Sequence, residues 1–208
     1  MKKNILLAIL FFSGLWGLSE ALLGGVLYRT HASYASVPLT IIGFAILAFA
    51  RARFLRPGIA TLIAACAMFY KFLNAPFFVC HLLGILLMGL CFDLIFAIRP
   101  RTHLQRAWAA LIVTYLNYTL FALMITFLFR YPYWVQGGWN LILQHIAFSG
   151  TLAALGAALL VPLAWHWAEK YPNLTLLGAP TARIAPRSLS LATLALWLFG
   201  ITTFFFNF

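Results

Sequence analysis

The chain has 208 residues, of which 64% are hydrophobic and 8% charged, and its mean hydropathy is +0.98. Soluble domains carry roughly 25% charged residues and bury only about 70% of their unfolded surface at this length, so a soluble globular fold is excluded. The net charge is +11, from 14 Lys and Arg against 3 Asp and Glu. These cations lie in short connections between apolar segments, where they indicate membrane topology rather than nucleic-acid binding.

Apolar segments long enough to cross a bilayer follow one another along the chain. We predict an all-α protein, a polytopic transmembrane helical bundle with about six or seven spanning helices, forming a single integral membrane domain over residues 1–208. The unbroken apolar runs exclude a transmembrane barrel, whose strands alternate in polarity. The predicted spans lie near residues 4–28, 36–50, 57–74, 76–98, 107–129, 139–165 and 189–207.

The first predicted helix follows Lys2 and Lys3 without an evident cleavage motif, so we interpret it as a retained span rather than a signal peptide. It carries Glu20, whose charge would cost about 2.5–3.5 kcal/mol at mid-bilayer, so the side chain should face other helices or a cavity. A protonated Glu20 that hydrogen-bonds a neighbouring helix is the structural alternative. Small residues beside it indicate close helix packing: Gly14, Gly17, Ala21 and Gly24.

Further polar residues of the predicted helices share a leaflet with Glu20: Lys71, Asn74, His81, Gln144 and His145. Polar groups that converge in an apolar surrounding are typical of a binding site, so this set predicts a solute site that opens to the outside. Each residue also has a structural explanation. Lys71 would reach the headgroups, Asn74 would end a helix before Ala75-Pro76, and His145 would be a satisfied buried histidine.

The two histidines leave other interpretations open. Together with Glu20, His81 and His145 could bind zinc, nickel or cobalt, although no HxxxH or ExxH spacing occurs. The same histidines could be axial ligands in a haem- or quinone-binding redox subunit. We expect no enzyme, because GxSxG, HExxH and paired carboxylates are absent from the sequence. Asp93 is predicted to form a structural salt bridge, with Arg99 about one and a half turns away and the Arg51–Arg56 loop nearby.

The distribution of cations predicts a multi-pass protein of the cell inner (plasma) membrane with its N-terminus in the cytoplasm and its C-terminus outside. Cytoplasmic loops are enriched in Lys and Arg, and seven spans divide the 14 cations eleven to three. The eleven inside are Lys2, Lys3, Arg51, Arg53, Arg56, Arg99, Arg101, Arg106, Lys170, Arg183 and Arg187, and the three outside are Arg29, Lys71 and Arg130.

The segment from Pro76 to Asp93 reads PFFVCHLLGILLMGLCFD. It resembles the glycine-spaced helix, followed by an acidic residue, of the substrate-binding S components of energy-coupling factor (ECF) transporters, and the small-residue first helix is similar too. The resemblance implies capture of a vitamin-like solute or metal ion from outside. It also implies a membrane coupling protein and ATPases as partners, docked on the first helix at Gly14, Gly17, Ala21 and Gly24. No nucleotide-binding motif or cofactor motif occurs in the chain itself.

A function of another class remains open, in which the chain is a non-catalytic membrane anchor or assembly subunit of a larger complex. Its small-residue stripes would then be interfaces, including Gly150, Ala153 and Ala157 in the sixth predicted span. This hypothesis predicts protein partners and no solute pocket.

Overall fold

The fold is described from a computed structural model, which describes residues 2–30, 34–72, 79–171 and 186–206. These residues are helical apart from short connections, and no strand occurs among them. The helices are α1 (Lys2–Arg29), α2 (Ser36–Arg53), α3 (Ile59–Phe72), α4 (Val79–Phe96), α5 (His103–Leu123), α6 (Pro132–Gln144), α7 (Thr151–Lys170) and α8 (Pro186–Phe206). The predicted all-α fold class is therefore confirmed.

Four helical stretches of the described residues are long and apolar enough to cross a membrane: Ile5–Leu27, Ser36–Arg53, His103–Leu128 and Pro132–Lys170. Three further helices contain shorter apolar stretches among the described residues: Ile59–Tyr70, His81–Phe96 and Leu189–Thr202. The structure is thus compatible with a multi-pass membrane protein in contact with lipid, and four of the predicted spans meet the full length criterion.

Two π-helical segments interrupt the regular helices. Met124–Leu128 extends α5, and His145–Gly150 joins α6 to α7 without a loop. The continuous stretch from Pro132 to Lys170 has one real break, at Gly138, where φ is 55° and ψ is −150°. Glycine tolerates this conformation because it has no Cβ. The sixth span was predicted to begin at residue 139, immediately after this break, whereas the helix itself begins at Pro132.

The beginning of α5 shows how local sequence determines a helix end. Thr102 is the N-cap, and its hydroxyl accepts a hydrogen bond from the Gln105 backbone N–H at 3.2 Å. The Gln105 side chain accepts in return from the Thr102 backbone N–H, also at 3.2 Å. This reciprocal capping box satisfies two N–H groups that would otherwise lack partners at the start of the helix.

The main hydrophobic core lies among α1 to α5 and α7. α2 packs most extensively on α7, while α3 packs on both α1 and α4. A row of rings passes through the core, with centroid separations of 6.0 Å for Phe44–Phe92, 4.0 Å for Phe92–Phe96 and 5.7 Å for Phe96–Trp165. These aromatic contacts join α2, α4 and α7.

Glycines allow close approaches between three pairs of helices. A Cβ atom at Gly89 of α4 would lie 2.7 Å from the Ala60 carbonyl oxygen of α3, which is too close for any side chain. On α1, Gly17 contacts Tyr70 of α3 and Gly14 contacts Trp197 of α8. The close packing predicted for the first helix therefore occurs within the chain itself. The partner interface predicted there stays a prediction, and its members Gly14 and Gly17 are already covered by α8 and α3.

Asp93 forms hydrogen bonds to α3, and its charge also attracts Arg51, one of the cations expected nearby. One of its carboxylate oxygens accepts hydrogen bonds from the backbone N–H and the hydroxyl of Thr61, both at 2.8 Å. Thr61 lies in the first turn of α3, where backbone N–H groups have no partner within the helix and favour a negative charge. Asp93 therefore caps α3 from the neighbouring helix, which a search for nearby cations in sequence could not reveal.

Candidate functional site

A cavity with a few polar groups in its lining lies within the bundle, at the end where α1 finishes and where α2 and α4 begin. Four helices and the second π-helical segment line it. The lining residues are Glu20 of α1, Ser36, Leu39 and Thr40 of α2, His81, Gly84, Ile85 and Met88 of α4, Asn117, Tyr118 and Phe121 of α5, and His145 of the π-helical segment. The cavity is partly open and measures about 100 Å³.

Three of the six residues predicted for a binding site line this cavity, namely Glu20, His81 and His145. Gln144 does not, because its side chain is exposed on the outside of the bundle. Asn74 and the side chain of Lys71 lie outside the described residues. The structure therefore brings together the acidic and the two imidazole groups that were predicted from depth alone.

Asn117 is a polar residue of the cavity that the sequence analysis missed. Its side chain is only 5% exposed, and Oδ1 has no hydrogen-bond partner among the described residues. A buried acceptor without a partner costs about 1–3 kcal/mol, and few such groups remain in native structures. The signal in the sequence was an amide in the middle of an apolar span, with Tyr118 and Phe121 completing one face at helical spacing.

His145 is held in the cavity by aromatic side chains. Its ring lies 4.7 Å from Tyr118, 5.0 Å from Trp134 and 5.7 Å from Phe121, measured between ring centroids. The Trp134 ring is perpendicular to the imidazole, at 90°, whereas the Tyr118 ring is tilted by 32°. The imidazole is thus packed against three aromatic rings. The π-helical segment that carries His145 is a kind of helix irregularity often found at functional sites.

Hydroxyl groups complete the polar lining on the side of α2. The Tyr118 hydroxyl lies 3.4 Å from Thr40 Oγ1, and the two side chains are 2% and 7% exposed. This pair links α5 to α2 in the wall of the cavity. Apolar groups cover the remaining wall, chiefly Ile85, Met88 and Phe121. Such a combination of an apolar surface with a few fixed polar groups is typical of small-molecule sites.

The volume of the cavity limits what it can hold. An engineered cavity of ~150 Å³ in another protein accommodates benzene, so about 100 Å³ is enough for a compact group of a few heavy atoms. Because the cavity is partly open, a larger molecule could insert only its head. Within the described ranges, no group of three or more His, Cys, Asp or Glu side chains is arranged to hold a metal ion.

Comparisons of the chain with models of known protein families, with curated proteins and with solved structures find no match.

Proposed function

We propose that this chain is a membrane transport protein that binds a small organic solute in the cavity lined by Glu20, His81, Asn117 and His145. The observation that carries the proposal is the unpartnered Asn117 Oδ1, which lines a cavity in the apolar interior of the bundle. A solute that donates a hydrogen bond to this oxygen would remove the cost of its burial. The grouping of Glu20 with two imidazoles at the same cavity supports the proposal further.

The polar and apolar groups of the lining favour a solute that donates hydrogen bonds. The unpartnered Asn117 Oδ1 is an acceptor, and Phe121 and Met88 supply apolar surface. We therefore propose a compact amine or a neutral heterocycle, with N–H groups directed at Asn117 and its apolar part against Phe121 and Met88.

The proposed topology has the cavity at the outer end of the bundle. Seven described cations lie at the end of the bundle opposite to the one that carries Glu20: Arg51, Arg53, Arg56, Arg99, Arg101, Arg106 and Lys170. By the positive-inside rule this end is proposed to be cytoplasmic, with the three shorter helices also crossing the bilayer to give seven spans. Because no nucleotide-binding motif occurs in the sequence, partner subunits would supply the energy for uptake.

The binding proposal is tested with purified protein in mild detergent and a panel of probes of matched size: small organic amines, neutral nitrogen heterocycles and carboxylates. Ligand-induced thermal stabilisation is measured for each probe, and native mass spectrometry identifies any co-purified small molecule. We expect stabilisation by members of the first two sets and none by the carboxylates. Selective stabilisation by carboxylates, which as acceptors cannot donate a hydrogen bond to Asn117 Oδ1, would contradict the proposal.

Variants then locate the site. Asn117→Leu should weaken binding about tenfold or more, since it removes a buried acceptor worth roughly 1.5 kcal/mol to a bound donor. The same substitution should raise the melting temperature of the ligand-free protein, because an apolar group of similar size replaces an unsatisfied amide. The matched control is Gln144→Leu, beside His145 in sequence but exposed outside the cavity. Equal binding by both variants would refute the site assignment.

The alternatives give different results in the same preparation. A stoichiometric protein partner without any bound small molecule would favour the anchor or assembly subunit. A Soret absorption band in the purified protein would favour the haem-binding subunit.

A further inference from the structure

A second surface feature lies at the opposite end of the bundle from the solute cavity. It is an open groove of about 560 Å³ between the end of α4 and the first turns of α5, lined by Ile98, Arg99, Arg101, Gln105, Trp108 and Ile112 among others. We call it the cationic groove. The two arginines lie at the connection between α4 and α5, and the wall of the groove further along α5 is apolar. The groove therefore complements an amphipathic molecule with a charged head and an apolar chain.

The two arginines of the cationic groove are held by their backbones. The Arg99 N–H donates to the Phe96 carbonyl oxygen at 3.1 Å, and Arg99 adopts a left-handed conformation with φ of 56° at the end of α4. The Arg101 N–H donates to Gln105 Oε1 at 2.9 Å, which ties it to the capping box of α5. The hydrogen bonds therefore hold the backbone of both arginines at the edge of the groove.

Neither guanidinium group of the pair has a hydrogen-bond or ion-pair partner among the described residues. The nearby acids are engaged elsewhere. Asp93 accepts hydrogen bonds from Thr61, and Glu169 is paired with Arg106, with Arg106 Nη2 2.8 Å from Glu169 Oε1. The groove thus presents two positive charges without a compensating carboxylate. A guanidinium binds phosphate oxygens with two parallel hydrogen bonds, so a phosphate is the complementary anion.

The apolar part of the cationic groove lies where hydrocarbon would surround a membrane-spanning helix. Ile98 is 82% exposed, Trp108 58% and Ile112 53%, and α5 belongs to one of the stretches long enough to cross a membrane. Ile112 lies roughly 14 Å further along α5 than His103, at about 1.5 Å per residue. Trp108 lies between them, and tryptophan is a residue enriched at the boundary between headgroups and acyl chains.

We infer that the cationic groove binds an anionic diacyl phospholipid, with its phosphate at Arg99 and Arg101 and one acyl chain along Ile98, Trp108 and Ile112. A soluble phosphate would satisfy only the arginines and would leave the apolar wall uncovered. The inference requires a membrane around α5 and is independent of the solute cavity.

The test uses the full chain in nanodiscs of phosphatidylcholine that contain a minor fraction of phosphatidylglycerol. Native mass spectrometry counts the lipids that remain bound after release. A basic residue near a membrane surface contributes about a fivefold preference for anionic lipid, so two arginines should give roughly 25-fold enrichment. The double variant Arg99→Gln/Arg101→Gln should lose most of this enrichment.

The control variant Arg56→Gln/Lys170→Gln removes the same charge from exposed positions outside the groove and should retain the enrichment. Equal losses in both double variants would overturn the inference in favour of a general charge effect. Unchanged enrichment in the groove variant would overturn it as well. Competition by glycerol phosphate at millimolar concentration would show a phosphate site that does not recognise lipid chains.

A second measurement does not depend on the folding of the arginine variants. Phosphatidylglycerol with brominated acyl chains should quench Trp108 more strongly than brominated phosphatidylcholine does. The Trp108 contribution is obtained as the difference between the wild type and Trp108→Phe. Equal quenching by the two lipids would contradict binding of an anionic lipid in the groove.

Discussion

The packing of α4 on α3 can be tested by substitution, because one glycine of α4 lies in close contact with α3 and another does not. A Cβ at Gly89 would lie 2.7 Å from the Ala60 carbonyl oxygen and 3.0 Å from Thr61 Cα, both of which are backbone atoms. A Cβ at Gly84 would meet only the Phe121 ring, at an ordinary 3.8 Å. The same substitution by alanine should therefore have effects of opposite sign at the two positions.

The magnitude follows from two opposing contributions. Alanine is favoured over glycine in a helix by about 0.8–1 kcal/mol, which applies at both positions. Overpacking a close contact costs about 1–3 kcal/mol, and backbone atoms cannot rotate away. With an overpacking cost in the upper part of its range, Gly89→Ala should lower the free energy of unfolding by about 1–2 kcal/mol. Gly84→Ala, which creates no close contact, should raise it by up to about 1 kcal/mol.

The assay is thermal unfolding of both variants and the wild type in the same detergent. At about 2–4 °C per kcal/mol for a chain of this length, Gly89→Ala should melt several degrees lower and Gly84→Ala slightly higher. Equal melting temperatures for Gly89→Ala and Gly84→Ala would refute the close approach of α4 to α3.

Two further predictions concern polar contacts between helices. Glu169→Ala should reduce the free energy of unfolding by about 2 kcal/mol, measured by thermal or chemical unfolding. This value lies between that of surface and buried pairs, since Arg106 is buried but the Glu169 side chain is 50% exposed. Trp165, which donates to Glu169 at 2.8 Å, would also lose its partner, and an unchanged stability would contradict the network. Asp93→Ala should cost about 1–2 kcal/mol by removing the acceptor for Thr61, and Thr61→Val, which keeps the backbone N–H bond, should cost less. Equal costs would show that the hydroxyl carries the interaction.

The candidate site illustrates how far depth in a membrane can be derived from sequence. Apolar runs establish how many residues separate a polar group from a helix end, so Glu20, His81 and His145 were placed in one leaflet. Depth does not determine the direction in which a side chain points, because neighbouring residues of a helix are about 100° apart. Gln144 and His145 are therefore adjacent in sequence and similar in depth, yet one is exposed and the other lines the cavity.

Asn117 was not predicted as a residue of the site, for a related reason. Its span is otherwise typical of a lipid-exposed or buried helix, and a single amide does not indicate whether a hydrogen-bond partner exists. The lack of a partner for Oδ1 depends on which atoms α2, α4 and α7 bring near it, and these contacts join residues far apart in the chain. The Asp93 contact is similar, since its acceptor role depends on the position of the α3 N-terminus.

By itself, the sequence determined the helical class and predicted a lipid surrounding, because backbone groups in hydrocarbon must be paired within a helix and the apolar runs are long. It also determined which connections carry the cations, since these are read directly from positions along the chain. The tertiary structure alone decided which faces of the helices meet. That choice depends on complementary shapes such as Gly89 against α3, and it produced the cavity lined by Asn117 and His145.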